Sequence, residues 1–135
     1  MSVRPGGRPI LAPVALALAL AAAGCDEGSL SPIACTEQFV YGLQIEVREA
    51  DAGAPAAQGA VATVTDGDYV EVVAGPVSGR PDALFIGAAG ERAGTYDIAV
   101  ARDGFEIWDT TGVVVDEDIC HVLTEEVRVF LTRLP

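Results

Sequence analysis

Cys120 and His121 are neighbours, and His121 is the only histidine in the chain. A thiol next to an imidazole could belong to a cysteine nucleophile or to a zinc site. The spacing speaks against both. On a strand, adjacent side chains point to opposite faces, so the imidazole would not face the thiol it must activate. Zinc needs three or four clustered ligands, and one His with Cys25, Cys35 and Cys120 is a thin supply. All eight basic residues are Arg, so lysine-based nucleophiles are excluded as well.

The acidic run Asp116-Glu117-Asp118 offers carboxylates for a cation, with Asp66 and Asp68 as possible contributors from another loop. Calcium loops take oxygens from alternating positions, and no EF-hand spacing is present. A solvated turn accounts for the run better, as turn chemistry does for Asp66 and Asp103. A glycosidase needs two carboxyls about 5–9 Å apart in a cleft. With 20 acidic residues some pairs fall at that spacing by chance. A small domain without long loops gives little cleft, so neither catalysis nor a cofactor is expected.

Trp108 is the only tryptophan. If Phe105 points inward on its strand, Ile107 shares that face and Trp108 lies outside, where it could anchor a protein or sugar partner. A bend at Gly104, or a strand covered on both faces, would bury it instead. The net charge of −12 repels phosphate backbones and excludes a nucleic-acid partner.

These residues need elements to position them. The chain has 135 residues, the size of one domain. Residues 1–9 carry Arg4 and Arg8, and residues 10–23 are apolar and uncharged. That run is shorter than the ~20 residues of a bilayer-spanning helix and fits the apolar part of a signal peptide. It ends at Ala22-Ala23-Gly24-Cys25, followed by acidic, flexible residues. This resembles the lipobox of bacterial lipoproteins. The resemblance implies a signal peptide over 1–24, cleavage before Cys25, and a diacylglyceryl group with fatty acyl chains such as palmitate on that cysteine. Ala22 departs from the pattern, where Leu is commoner. An ordinary secretory cleavage that leaves a cysteine nearby is the alternative. The lipoprotein reading expects a cell-envelope protein held on the cell membrane or outer membrane, facing periplasm or exterior. Asp26 resembles an inner-membrane retention signal of some bacteria, which leaves the membrane open.

If Cys25 carries lipid, Cys35 and Cys120 remain, and export allows them a disulfide. Cys35 precedes the first expected strand and Cys120 the last. Their bond would close a long loop worth roughly 4–5 kcal/mol. Two buried free thiols are the alternative.

Residues 25–34 form the lipidated tether; nine flexible residues reach about 15–18 Å. From Cys35 on, apolar residues alternate in short segments broken by Gly, Pro and Asp, the pattern of strands. Leu43, Ile45 and Val47 share one face, as do Tyr96, Ile98 and Val100, and Val127, Val129 and Leu131. Asp66-Gly67 suits a hairpin between residues 60–65 and 68–73. The segment 105–115 is expected to bend near Gly112. No sustained helical period appears. The expected fold is all-β, an antiparallel β-sandwich of about seven strands, transthyretin-like or Ig-like. Aromatics make up 6% of the chain, so the core should be thin.

Residues 35–135 resemble the carboxypeptidase regulatory-like domains. The resemblance rests on the order of Leu43–Val47, Asp51-x-Gly53-x-Pro55, the strand into Gly67, Ala93-Gly94-Thr95-Tyr96, Asp103-Gly104-Phe105 and Cys120-His121-Val122. It implies a transthyretin-like sandwich and a non-catalytic module. With the chain ending at Pro135, no attached peptidase is expected. The strongly acidic surface is not something that family requires. The expected role is protein binding or structural interaction at the envelope. A carbohydrate- or calcium-binding accessory domain is the alternative, with an envelope protein or a glycan as partner.

Overall fold

Alternating apolar residues bury one side of a strand and leave the other to solvent. In the computed structural model, which describes residues 32–80 and 83–135, this pattern produces seven strands and no helix. They are β1 (Tyr41–Glu49), β2 (Ala60–Asp66), β3 (Tyr69–Ala74), β4 (Phe85–Gly90), β5 (Gly94–Arg102), β6 (Trp108–Val115) and β7 (Glu125–Leu131). The expected leader, Cys25, Asp26 and most of the tether lie outside the described residues. No helix among the described residues is long and apolar enough to cross a membrane.

Two sheets face each other. One has the order β4-β1-β7, the other β3-β2-β5-β6. Their inner faces meet as expected from the alternation. Leu43, Ile45 and Val47 of β1 are fully buried, as are Val64 of β2 and Val100 of β5. Val127, Val129 and Leu131 close the core from β7. Tyr96 is the largest fully buried side chain, and much of the remaining core is alanine and valine.

The expected antiparallel sandwich is present, with one parallel pair within it. β1 and β7 run parallel, with Leu43 opposite Glu125 and Val47 opposite Val129. Parallel neighbours cannot be joined by a tight turn. Here the whole run from β2 to β6 connects them. The other pairings are antiparallel.

Two glycines shape the second sheet. Asp66 pairs with Tyr69, so the hairpin loop is Gly67-Asp68, one residue later than the Asp-Gly reading placed it. Gly67 has φ +58, and a glycine in the first loop position is one of the two favoured hairpin patterns. In β6 the register slips opposite Tyr96–Ile98, and Gly112 sits at φ +74. This is a bulge, with one extra residue on β6. Asp97 Oδ1 accepts the Gly112 N–H at 3.1 Å. The bend expected near Gly112 is therefore a bulge within one strand.

The parallel pairing explains the disulfide. Because β1 and β7 enter the sheet side by side, the segments before them also run together. Cys35 and Cys120, separated by 85 residues, are bonded with Cα atoms 5.2 Å apart.

Candidate functional site

The disulfide organises the first candidate. Residues 116–123 form a small hairpin: Asp116 O accepts the Leu123 N–H, and Asp118 N–H donates to His121 O. The Asp118 carboxylate turns back on its own loop. Its Oδ1 accepts the N–H groups of Cys120 at 2.7 Å and His121 at 2.8 Å. The acidic run is thus a turn whose third carboxylate is engaged by backbone donors. Among the described residues, no three His, Cys, Asp or Glu side chains gather as a metal site would require.

His121 links three segments that are distant in the chain. Its Nε2 lies 3.0 Å from Thr36 Oγ1, beside Cys35. Its Nδ1 lies 3.2 Å from both carboxylate oxygens of Glu91, in the turn between β4 and β5. Glu91 Oε1 also accepts the Val40 N–H at 2.7 Å. Hydroxyl, imidazole and carboxylate in this order are the parts of an activated nucleophile. Here each part also ties the segment leading into β1 to the body of the domain, so the arrangement works as a clasp. The Cys120 sulfur is bonded to Cys35 and is not a thiolate nucleophile.

Both carboxylates of the clasp are held below their ordinary ranges. For Glu91 the main cause is the His121 hydrogen bond, with the Val40 N–H assisting. For Asp118 the causes are the His121 and Cys120 N–H groups. A carboxylate depressed in the folded state stabilises the fold above its unfolded pKa, near 4.5 for Glu91 and 3.8 for Asp118. That contribution disappears as pH falls through the folded values. Thermal melting should therefore show a falling midpoint as pH drops from about 5 to 3. The fall should be shallower in Glu91→Gln and Asp118→Asn, which start from lower stability at pH 6. A wild-type midpoint that stays level over this interval would contradict the clasp.

A polar cluster closes the sandwich where the two sheets meet at β3 and β4. Arg92 Nη1 donates to Asp66 Oδ2 at 2.8 Å and Tyr96 Oη at 2.7 Å, and its guanidinium lies 4.1 Å from the Tyr69 ring centroid. Tyr69 Oη donates to Glu71 Oε2 at 2.7 Å, and Ala89 N–H donates to the same oxygen. Burial, then the Glu71 hydrogen bond, pushes the Tyr69 phenol up to about 12. These groups satisfy one another, which is the behaviour of a structural network.

The second candidate is a groove of ≈ 330 Å³ on the outer face of β4-β1-β7, lined by Phe39, Tyr41, Gln44, Phe85 and Thr124 among others. The Phe39 and Tyr41 rings meet edge to face at 5.0 Å. Tyr41 lies over Gly87, where a Cβ would come within 2.8 Å of the ring. Aromatic surface with a few amides and hydroxyls can receive a sugar or an apolar side chain. Sequence reasoning missed this groove. The Phe39-x-Tyr41 spacing was the available signal, but it lies at the start of β1, outside the alternation that located the strand.

The third candidate is the outer face of the four-stranded sheet. Cross-strand pairing sets Val61, Thr63 and Thr65 of β2 beside Ala74, Val72 and Val70 of β3. On the other side of β2 stand Ala101 and Ala99 of β5. Val70 and Val72 are 61% and 64% exposed. The first charges on this face are Asp97 and Asp109, toward β6. A neutral, β-branched sheet face is a marked exception on a chain of net charge −12.

Trp108 is not displayed as its alternation with Phe105 suggested. Phe105 is buried, but Ile107 is 68% exposed, because β6 starts only at Trp108. Trp108 pairs with Val100, a core residue, and packs half-buried against the core. The two-residue period does not extend back through 105–107, and of the two readings offered for Trp108 the structure is nearer the covered one. No protein-family model matches the chain, and no curated protein matches it.

Proposed function

We propose that this chain is an exported lipoprotein, fixed to a membrane of the cell envelope through acylated Cys25, and that its sandwich is a non-catalytic protein-binding or structural module of the carboxypeptidase regulatory-like kind. The observation that carries the binding part is the neutral outer face around Val70 and Val72, set on an otherwise acidic chain. Exposed apolar surface rimmed by polar residues is a common mark of an interaction site. The anchoring part rests on the Ala22–Cys25 pattern behind a short apolar leader. Two or more acyl chains give stable attachment where one is marginal. The acidic surface repels anionic headgroups, so the domain stands away from the lipid.

Membrane fractionation tests the proposal. The wild-type chain should stay with the membrane through a high-salt wash, and Cys25→Ser should move to the soluble fraction. Retention of the serine variant would contradict the anchor. A carbohydrate-binding role is the second reading, favoured by the groove with Phe39 and Tyr41. It predicts quenching or enhancement of tyrosine emission by envelope glycans that Tyr41→Ala removes. The calcium version is weakened by Asp118, whose Oδ1 already accepts two backbone N–H groups.

A further inference from the structure

We propose that the partner of the neutral face is a second copy of this chain, joined edge to edge through β3 in an antiparallel pair whose two-fold axis passes through Val72. This rests on the binding-module reading and names its partner.

The backbone parity of β3 is the starting point. Gly75 N–H donates to Ala60 O, and Tyr69 pairs with Asp66 across the two-residue loop. Bonded and non-bonded pairs alternate along an antiparallel ladder. Tyr69, Glu71 and Val73 therefore direct their backbone groups toward β2. Val70, Val72 and Ala74 direct theirs away from the sheet. Among the described residues, no backbone partner takes up these outward groups.

Edge strands are ordinarily protected. Three of the four edges here are. On β4, Glu71 Oε2 accepts the Ala89 N–H, Phe85 O accepts the Val77 N–H, and Ala89 leaves the extended region at φ +52. β6 carries the Gly112 bulge. β7 sets Glu126 and Arg128 on its exposed side. β3 has no bulge, no proline, no lysine and no exposed charge between Val70 and Ala74. Its exposed side chains are two valines and an alanine.

The strand is also complementary to itself in one register. With Val72 opposite Val72 of the second copy, Val72 exchanges both backbone bonds with its equivalent, and Val70 does so with Ala74. Glu71 then stands opposite Val73. A shift of two toward the turn sets Glu71 against Glu71, and like charges directly opposite are destabilising. A shift of two the other way sets Val70 against Pro76, which has no N–H to give. Charge favours the same place: two copies of net charge −12 repel, and this face lets them meet with no acid side chain on it from β2 or β3. The pairing would merge the two four-stranded sheets into one and continue the neutral face across the join.

Sedimentation of the full chain in neutral detergent micelles, with a photo-crosslinking residue placed at 72 for native membranes, tests this. The wild type should sediment as a dimer, and more completely as salt rises, because salt screens the repulsion. Val72→Lys should weaken the dimer by roughly tenfold or more, since it sets two cations opposite each other, while leaving the melting midpoint of the diluted monomer in place. Val114→Lys, on β6, should leave the dimer intact. A crosslink from 72 to a second copy supports the pairing. A monomer that crosslinks from 72 to a different envelope protein overturns the self-pairing and keeps the binding-module reading. A monomer with no crosslink from 72 overturns both.

Discussion

Replacing Cys35 and Cys120 together with alanine should lower the unfolding free energy by roughly 4–5 kcal/mol. The bond spans 85 residues and joins the segments leading into β1 and β7. Without it, the unfolded chain regains the freedom of that long loop. The folded state loses the tether of residues 35–40, which belong to no strand. What remains there is the exposed His121 contact to Thr36, the Glu91 bonds to the Val40 backbone, and the packing of Val40 on the core and of Phe39 over Gly90. Exposed polar contacts do not replace a covalent tie. Urea unfolding of the oxidised wild type against the double variant measures the effect. A difference under about 1 kcal/mol would mean that the rest of the clasp already orders these segments.

The second large effect is expected at Ile45. It is fully buried at the middle of β1, between Ile86 of β4 and Val127 of β7. Truncation to alanine removes apolar contact from both neighbours and leaves a cavity in a core that already contains many alanines. The expected loss is about 2–5 kcal/mol. Gln44, next in the chain but directed outward, should cost less than about 1 kcal/mol when replaced by alanine. Equal costs at the two positions would contradict the inward–outward assignment of β1. Small domains have about 5–15 kcal/mol in total, so Ile45→Ala in the disulfide-free background should leave little folded protein.

The fold was legible where the information is local. Leu43-Ile45-Val47 and Val127-Val129-Leu131 each carry a two-residue period, and burial follows it without exception. The same local rule failed at Phe105–Trp108, because it assumes a strand that has not yet begun there. The Asp66-Gly67-Asp68 turn was legible as a hairpin, but which two residues form the loop depends on pairing with Tyr69. The parallel union of β1 and β7 was not legible. Strand order and direction come from contacts between segments about 80 residues apart, and side-chain alternation is the same for parallel and antiparallel neighbours. For the same reason the position of Cys35 and Cys120 before their strands was visible, while the geometry that brings them together was not.

The candidate surfaces followed a similar division. The Asp116–Asp118 turn could be read from composition. The clasp could not, since Thr36, Glu91 and His121 meet only after the sheets form. The neutral face of β2 and β3 was present in the residues Val61, Thr63, Thr65, Val70 and Val72. Its meaning needed the register that sets them side by side and the knowledge that β3 is an edge.

The central claim is that a disulfide-tied sandwich is carried on a lipidated cysteine. Intact-mass spectrometry of the chain recovered from the cell envelope without reductant tests it most directly. The account predicts a polypeptide that begins at Cys25, is heavier by a diacylglyceryl group and any further acyl chain, and is lighter by two hydrogens for the Cys35–Cys120 bond. A chain that still begins at Met1, or one whose Cys25 thiol is free, would contradict it.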